Sequence, residues 1–462
     1  MSTPNSTPLR VAIIGSGPSG FFAVEHLQRQ RPGISIDLFD RLPTPFGLVR
    51  GGVAPDHQKI KAVTRVYEKL AAQPGFRFFG NVEIGKDLSR AELRQHYHAV
   101  IYASGAQSDR HLGIPGEDLA GSHPATEFVA WYNGHPEYRD RHFDLSQSAV
   151  AVIGMGNVAV DVVRILARTE AELARTDIAP YALEALAQSR VRDIYMIGRR
   201  GPVQAAFTNP EVKELGEMAG ADTIVLPGEL ELDPVSAELA AAGDHTIERN
   251  LHTLNAMAGH APAGKAKRIH IRFLLSPTAL EGSGRVERLR LARNRLVPVG
   301  DHELKAEPSG ETETIQAGLV FRSVGYKGLG IPDVPLDGRR GIIPNADGRV
   351  LENGAPSPGE YVVGWIKRGP SGVIGTNKPD AAETVDRLLA DADAGSLPAP
   401  VTAPVEELLG RRGVRVVSWS DWRILDEIEK KEGAALGRPR VKFTRVEDML
   451  AALAPSVTPT RA

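Results

Sequence analysis

A glycine-punctuated turn occurs twice in this chain, each time between a β-branched run and a helical run. No other feature restricts the fold as strongly. The first copy is Val11-Ala-Ile-Ile-Gly15-Ser-Gly17-Pro-Ser-Gly20, followed by the helical stretch 21–30. The second is Val150-Ala-Val-Ile-Gly154-Met-Gly156-Asn-Val-Ala159, followed by the helical stretch 162–168. In this pattern the first glycine makes the tight turn out of the strand, and the second lets the backbone approach a pyrophosphate. The third small residue lets helix and strand pack closely. The helix N-terminus then offers unpaired N–H groups to the phosphates. One such motif is weak evidence of a nucleotide site. Two, each in a strand–turn–helix setting, predict two dinucleotides, usually a resident flavin dinucleotide and an exchanging nicotinamide dinucleotide.

Strand-like runs bounded by Gly, Pro or Asp stand at 10–14, 35–39, 99–103, 149–153, 193–197 and 361–363, with helical patterns between them. That alternation marks an α/β protein with parallel sheets. The stretch 227–318 is less regular. Its short β-like pieces at 269–275 and 286–291 read as an antiparallel excursion. Residues 392–404, rich in Ala, Pro, Gly and Ser, read as a linker or exposed loop, and 419–432 and 446–453 as helices. The expected architecture is two Rossmann-like dinucleotide-binding domains, one threaded into the other. Residues 1–108 and 331–462 would form the FAD domain, and 109–330 the inserted NADP domain.

The strand ends separate the two cofactors. After the first motif, the second strand ends at Asp40, 20 residues beyond Gly20. A carboxylate there accepts hydrogen bonds from ribose hydroxyls, as FAD and NAD sites require. After the second motif no acid stands at the strand end. Instead the sequence runs Gly198-Arg199-Arg200-Gly201-Pro202, and arginine grips a phosphate bidentately. Exchange of the acid for arginine distinguishes NADP readers from NAD readers. The long gap from Gly154 to Arg199 is assigned to a helical insert at 170–187. A solvated strand-end Asp and a surface Arg pair without ligands are the plain alternatives.

Composition closes several routes. Among 462 residues there is no cysteine. A disulfide, a thiolate zinc site, a catalytic thiol and a thiolate-held iron–sulfur cluster are therefore excluded from this polypeptide, and no metal site is expected. Redox chemistry must come from a bound organic cofactor or a separate partner. Lys plus Arg is 55 and Asp plus Glu is 57, a balance unlike that of nucleic-acid-coating proteins. No apolar stretch approaches the roughly 20 residues of a membrane span. Residues 1–8 are polar, with no signal-peptide pattern, which leads to an expectation of a cytoplasmic, membrane-free protein.

Longer motifs carry a family resemblance. Leu42-Pro-Thr-Pro-Phe46-Gly47-Leu48-Val49-Arg50 and Gly51-Gly-Val-Ala-Pro55-Asp56-His57 resemble adrenodoxin-reductase-type ferredoxin–NADP reductases. So do Gly154-Met-Gly-Asn-Val-Ala159, Gly198-Arg-Arg-Gly-Pro202-Val-Gln-Ala-Ala-Phe207-Thr208 and Gly364-Trp365-Ile-Lys-Arg-Gly-Pro-Ser-Gly372-Val-Ile-Gly-Thr-Asn377. The match runs from about residue 11 to 442 and is similar to actinobacterial members without a fused ferredoxin domain. Asp40 departs from the Glu of many relatives but keeps the carboxylate.

The resemblance implies FAD and NADP(H) as cofactors and assigns residues to each. Ser19, Asp40, Leu48 and Val82 would line the FAD, with Trp365, Gly372, Val373 and Ile374 against the isoalloxazine. Arg110, Met155, Gly156, Asn157, Val158, Arg199, Arg200 and Glu211 would meet NADP, and Gly372 the nicotinamide. His57 would lie near the flavin and Glu214 near the nicotinamide, as candidates for proton handling. Hydride transfer itself needs positioning rather than a nucleophile. For His57 the plain alternative is a cap on the helix that starts near Gln58, and for Glu211 a helix-surface acid.

The implied activity is hydride transfer from NADPH to FAD, then one-electron delivery to a ferredoxin serving a cytochrome P450 or similar acceptor. Ferredoxins are typically acidic, so a basic docking face is expected. The candidates are Lys265, Lys267 and Arg268; Arg285, Arg288, Arg290, Arg293 and Arg295; and the run 438–445. An NADPH-dependent flavin monooxygenase and an NADP-sensing flavoprotein with structural FAD are the alternative readings.

Overall fold

A computed structural model describes residues 8–300, 303–401 and 403–454. The residues 1–7 of the polar N-terminal reading lie outside that range. The chain divides into two compact units. One holds Met1–Val53, His57–Ser108 and Tyr326–Ala462, and the other Ala54–Asp56 and Asp109–Gly325.

The first unit is built on a seven-stranded sheet. Its order is Asn345–Ala346, Arg349–Glu352, Ala355–Val362, Ala99–Tyr102, Arg10–Ile14, Ser35–Phe39 and Phe76–Phe79. The last five run parallel, and the first two add as antiparallel edge strands. Near-continuous apolar runs such as Arg10–Ile14 are buried on both faces, as parallel strands require. Alternate residues feed two cores. Val11 and Ile13 face the helices Pro18–Gln30, Asn377–Asp393 and Trp419–Ala435, whereas Ala12 and Ile14 face the opposite layer.

The second unit carries a six-stranded, all-parallel sheet: Ser122–Pro124, Leu319–Arg322, Ala149–Ile153, Asp193–Ile197, Lys267–Arg272 and Ala221–Val225. Helices cover one face, where Val150 and Val152 are buried. A three-stranded antiparallel sheet, Leu275–Glu281, Arg288–Gly300 and Glu303–Gln316, packs on the other through Ala149, Ala151 and Ile153.

Strand positions agree closely with the sequence reading, and the differences have local causes. The piece at 269–275 is not antiparallel throughout: Lys267–Arg272 joins the parallel sheet, and the chain breaks at Leu274 (φ 57°) before the antiparallel sheet begins. The irregular stretch also holds two helices, Pro234–Ala241 and His245–Ala258. The insert at 170–187 is two helices, Glu170–Leu173 and Pro180–Ala187, with Pro180 at the start of the second. Residue 402 of the expected linker lies outside the described residues.

Candidate functional site

Each glycine motif forms the turn its spacing demanded. Gly15 leaves its strand at φ 111°, where a Cβ would sit 2.5 Å from the Ala103 carbonyl oxygen. Gly154 does the same at φ 142°, with a Cβ 2.2 Å from the Ser323 carbonyl oxygen. At Gly20 the helix approaches so closely that a Cβ would lie 2.1 Å from the Gly15 carbonyl oxygen. Gly17 and Gly156 are the N-caps of Pro18–Gln30 and Asn157–Ala167, and neither end has a side-chain cap. A Cβ on Gly156 would meet nothing within 4 Å. Two glycine-lined helix ends with uncapped donors are the cradle a pyrophosphate fits.

In the first unit Asp40 sits beside its glycine turn. Its carboxylate accepts from the Ser16 hydroxyl, from the Ser16 amide at 3.2 Å and from the Leu42 amide at 3.0 Å. Burial pushes its pKa up against the opposing pull of those donors. Ser19 Oγ donates to Asn377 Oδ1 at 3.1 Å. Val82 packs its side chain into the core and donates its amide to the Asp40 carbonyl, while Leu48 is exposed. His57 occupies the N-cap position of Gln58–Lys61 but makes no side-chain cap bond, so the capping alternative does not hold.

The glycine-rich segment after Trp365 is a tethered loop, which Trp365 enters from the short helix Trp365–Arg368. Trp365 Nε1 donates to the Ser371 carbonyl at 3.1 Å. Arg368 donates to the same carbonyl at 2.6 Å and to Asn377 Oδ1 at 2.9 Å. Asp380 accepts from the Gly364 amide at 2.5 Å and pairs with Lys367 at 3.2 Å. Gly372 and Val373 are exposed at the tip and Ile374 is half-buried. The sequence reading did not single out Arg368, Asn377 and Asp380 as tethers. They lie inside the quoted motif or just after it, and the number of polar residues following its glycines was the available signal.

In the second unit the arginine segment folds back over the glycine turn. Ala206 donates its amide to the Met155 carbonyl at 2.9 Å, and Asn157 Oδ1 accepts from the Thr208 amide at 2.8 Å. Met155 and Val158 rest on the helix-side core. Arg199 and Arg200 are exposed, and no ion pair to either occurs among the described residues. Partial burial and the adjacent Arg199 charge lower the Arg200 pKa. Asn294, from the antiparallel sheet, supports the loop by donating to the Arg199 carbonyl at 2.8 Å. Arg110 is exposed and donates its amide to the Gly325 carbonyl at 3.0 Å.

Glu211 and Glu214 lie on the helix Asn209–Gly216, where both reach Arg164, each at 3.3 Å. Arg164 is completely buried and also pairs with Asp56 at 2.8 Å and Asp161 at 2.6 Å. Burial works against its charge, yet the carboxylates outweigh that and hold it more firmly protonated than usual. Sequence reasoning missed Arg164 because an arginine in the apolar run 160–167 looks like one residue of a solvent face. The positions assigned to FAD all fall in the first unit with His57, and those assigned to NADP by the strand ends and motifs fall in the second with Glu214. Gly372, given to both cofactors, belongs to the first.

The basic runs expected as docking faces are mostly spent internally. Arg268 pairs with Asp193, Arg285 with Asp144, and Arg290 with Glu281. Arg293 reaches Glu229, Glu311 and Glu313. Lys265 and Lys267 donate to backbone carbonyls, and Arg438 and Lys442 are buried. Arg295 and Arg445 remain exposed.

Comparison with known proteins agrees with this geometry. A 46% identity to NADPH-ferredoxin reductase FprA of Mycobacterium tuberculosis covers 96% of this chain and 98% of that protein. The chain belongs to the adrenodoxin-reductase-type ferredoxin–NADP reductases. The family extends to the mitochondrial NADPH:adrenodoxin oxidoreductase of Arabidopsis thaliana, 40% identical over 98% of this chain and 97% of that protein. The structure of M. tuberculosis FprA in complex with NADPH superposes with a TM-score of 0.92 at 45% identity, covering 97% of this chain and all of that one. Residues 9–197 also match the pyridine nucleotide-disulphide oxidoreductase family, although this chain, lacking cysteine, holds no disulphide of its own.

Proposed function

We propose that this chain is an FAD-dependent ferredoxin–NADP(+) reductase. Bound NADPH and FAD supply hydride donation and the storage of two electrons, and a separate iron–sulfur protein of ferredoxin type receives those electrons one at a time. The chain's own work is binding, orientation and charge placement. Asp40 and the Gly15–Gly20 turn would hold the FAD ribose and pyrophosphate, and the tethered loop from Trp365 to Asn377 would support the flavin ring. Gly154 to Val158 hold the NADP pyrophosphate. His57 and Glu214 are the groups proposed to hold or pass protons, with Glu214 oriented by Arg164. No helix among the described residues is long and apolar enough to cross a membrane, and the cytoplasm is the proposed location.

The observation that carries the NADPH assignment is the Arg199–Arg200 pair, exposed just beyond the strand Asp193–Ile197 without an acidic partner among the described residues. Rapid mixing tests it. NADPH, but not NADH, should bleach the flavin absorbance rapidly, and the Arg199→Ala/Arg200→Ala variant should lose roughly 10- to 100-fold in NADPH affinity while leaving NADH unaffected. Absence of bleaching would remove the reductase reading. A double variant that still prefers NADPH would remove the 2′-phosphate assignment alone.

A further inference from the structure

The segment after residue 418 belongs to neither dinucleotide motif, yet it grips the turn that faces the first one. That turn, 46–50, is strained at its start. Phe46 stands at φ 84°, a conformation a residue with a Cβ keeps only when its surroundings impose it. Its amide donates to the Ser16 carbonyl at 3.0 Å, and the next residue presses on the phosphate turn: a Cβ on Gly47 would lie 2.9 Å from Gly17 Cα. The turn therefore shapes the backbone beside the N-cap of Pro18–Gln30.

The helix Trp419–Ala435 and the irregular residues after it hold this turn from several directions. Trp422 and Trp419 pack edge-on against the Phe46 ring, with centroids 5.8 and 6.1 Å away. Arg50, at the turn's far end, makes a two-pronged bond to Glu429, at 2.8 and 2.5 Å, and lies 5.3 Å over the Trp422 ring. Lys442 donates to the Arg50 carbonyl at 3.2 Å. Glu429 is completely buried and also accepts from Arg440 at 3.0 Å and from the Phe443 amide at 2.9 Å. A buried carboxylate this heavily bonded fixes geometry, because removing one partner strands the others.

We propose that the segment 418–443 is a latch for the flavin cofactor, in which Glu429 is a positioning residue holding the 46–50 turn against the phosphate-binding turn. The proposal rests on the reading that the first unit binds FAD. The partners that Glu429 bonds are Arg50, Arg440 and the Phe443 amide, so its role runs through the turn. It acts by keeping Phe46 and Gly47 in the one conformation that closes the cradle, so its loss should speed FAD release and leave the arginine-lined site in the second unit unchanged.

The test uses the full-length FAD-loaded protein with Glu429→Gln and Arg50→Lys, each preserving size while weakening the two-pronged pair. Release of FAD is followed by the rise of free-flavin fluorescence on dilution, the cradle by the fine structure of the visible flavin band, and the second unit by 2′,5′-ADP affinity. Expected are FAD release about tenfold faster or more, a blurred flavin band, and 2′,5′-ADP affinity within about twofold of wild type. Glu429→Asp, which keeps the charge at shorter reach, should fall between. If Glu429→Gln does not fold, Arg50→Lys carries the same comparison with the buried carboxylate intact. Wild-type release in the folded variants overturns the latch, and so does parallel loss of FAD and 2′,5′-ADP binding, which marks general destabilisation. A wild-type protein that holds no FAD overturns the underlying reading instead.

Discussion

Arg164 shows how much a single residue can mean once its neighbours are known. In the sequence it interrupts an apolar helical run, and in the fold it is the buried centre of four carboxylates, two of them candidate site residues. His123 is a similar case with an opposite charge preference. Burial, then the nearby Arg322, Arg141 and His142 charges, lower its pKa to about 4, and its ring packs edge-on to Phe143 at 4.9 Å. The fold thus favours the neutral ring. Its contribution is complete above the unfolded value near 6.5 and is lost as pH falls through 4. Urea unfolding at pH 7 and pH 4.5 should show a loss of about 1–2 kcal/mol from this group, discounted for a partly exposed ring. His123→Phe should flatten that part of the pH dependence, and an unchanged slope would contradict the assignment. Asp40, Arg199 and Arg200 were legible in the sequence because a strand end is a fixed address. Arg164 and His123 were not, because burial is a property of the surroundings.

Among elements, the strands were the most legible and the middle of the chain the least. A parallel strand buried on both faces has to be an apolar run between turn residues, which is why Ala149–Ile153 and Asp193–Ile197 could be placed. The helix Pro234–Ala241 buries only Ser236, so it carries no apolar stripe to read. The antiparallel sheet was foreseen as an excursion, but its use was not. Asn294 on its central strand is buried and bonds both the Arg199 carbonyl and Ser276 Oγ, each at 2.8 Å, so the sheet shapes the arginine loop. Asn294→Ala should cost about 1 kcal/mol of stability by removing two half-buried hydrogen bonds. It should also raise the KM for NADPH while leaving the FAD spectrum unchanged. Chemical denaturation and steady-state kinetics check both halves. The basic runs show the same limit in reverse: strand Arg288–Gly300 looks cationic alone, whereas its neighbours supply Glu281, Glu311 and Glu313.

At the scale of the whole molecule, the chain lends Ala54–Asp56 to the second unit, leaves the first unit again at Ser108–Asp109 and returns at Gly325–Tyr326, so the first unit closes only after the second has been synthesised. Each unit has its own cores, and each is proposed to bind its own dinucleotide. Calorimetry should therefore resolve two transitions. FAD at 100 times its Kd should stabilise one by about 2.7 kcal/mol, and 2′,5′-ADP at the same relative concentration the other. One transition moved equally by both ligands would contradict two independent units. The sequence alone determined the doubled phosphate turn, the acid and arginine strand ends and the absence of thiol chemistry. These depend on local backbone geometry, on residue type at a fixed offset, and on composition. Only the tertiary structure decided which charges are neutralised, that Arg164 gathers four acids, and that a C-terminal helix far along the chain clamps the turn at 46–50. Arg164 and Asp56 stand 108 positions apart and Arg50 and Glu429 stand 379 apart, and no local pattern encodes which distant partner will satisfy a buried charge.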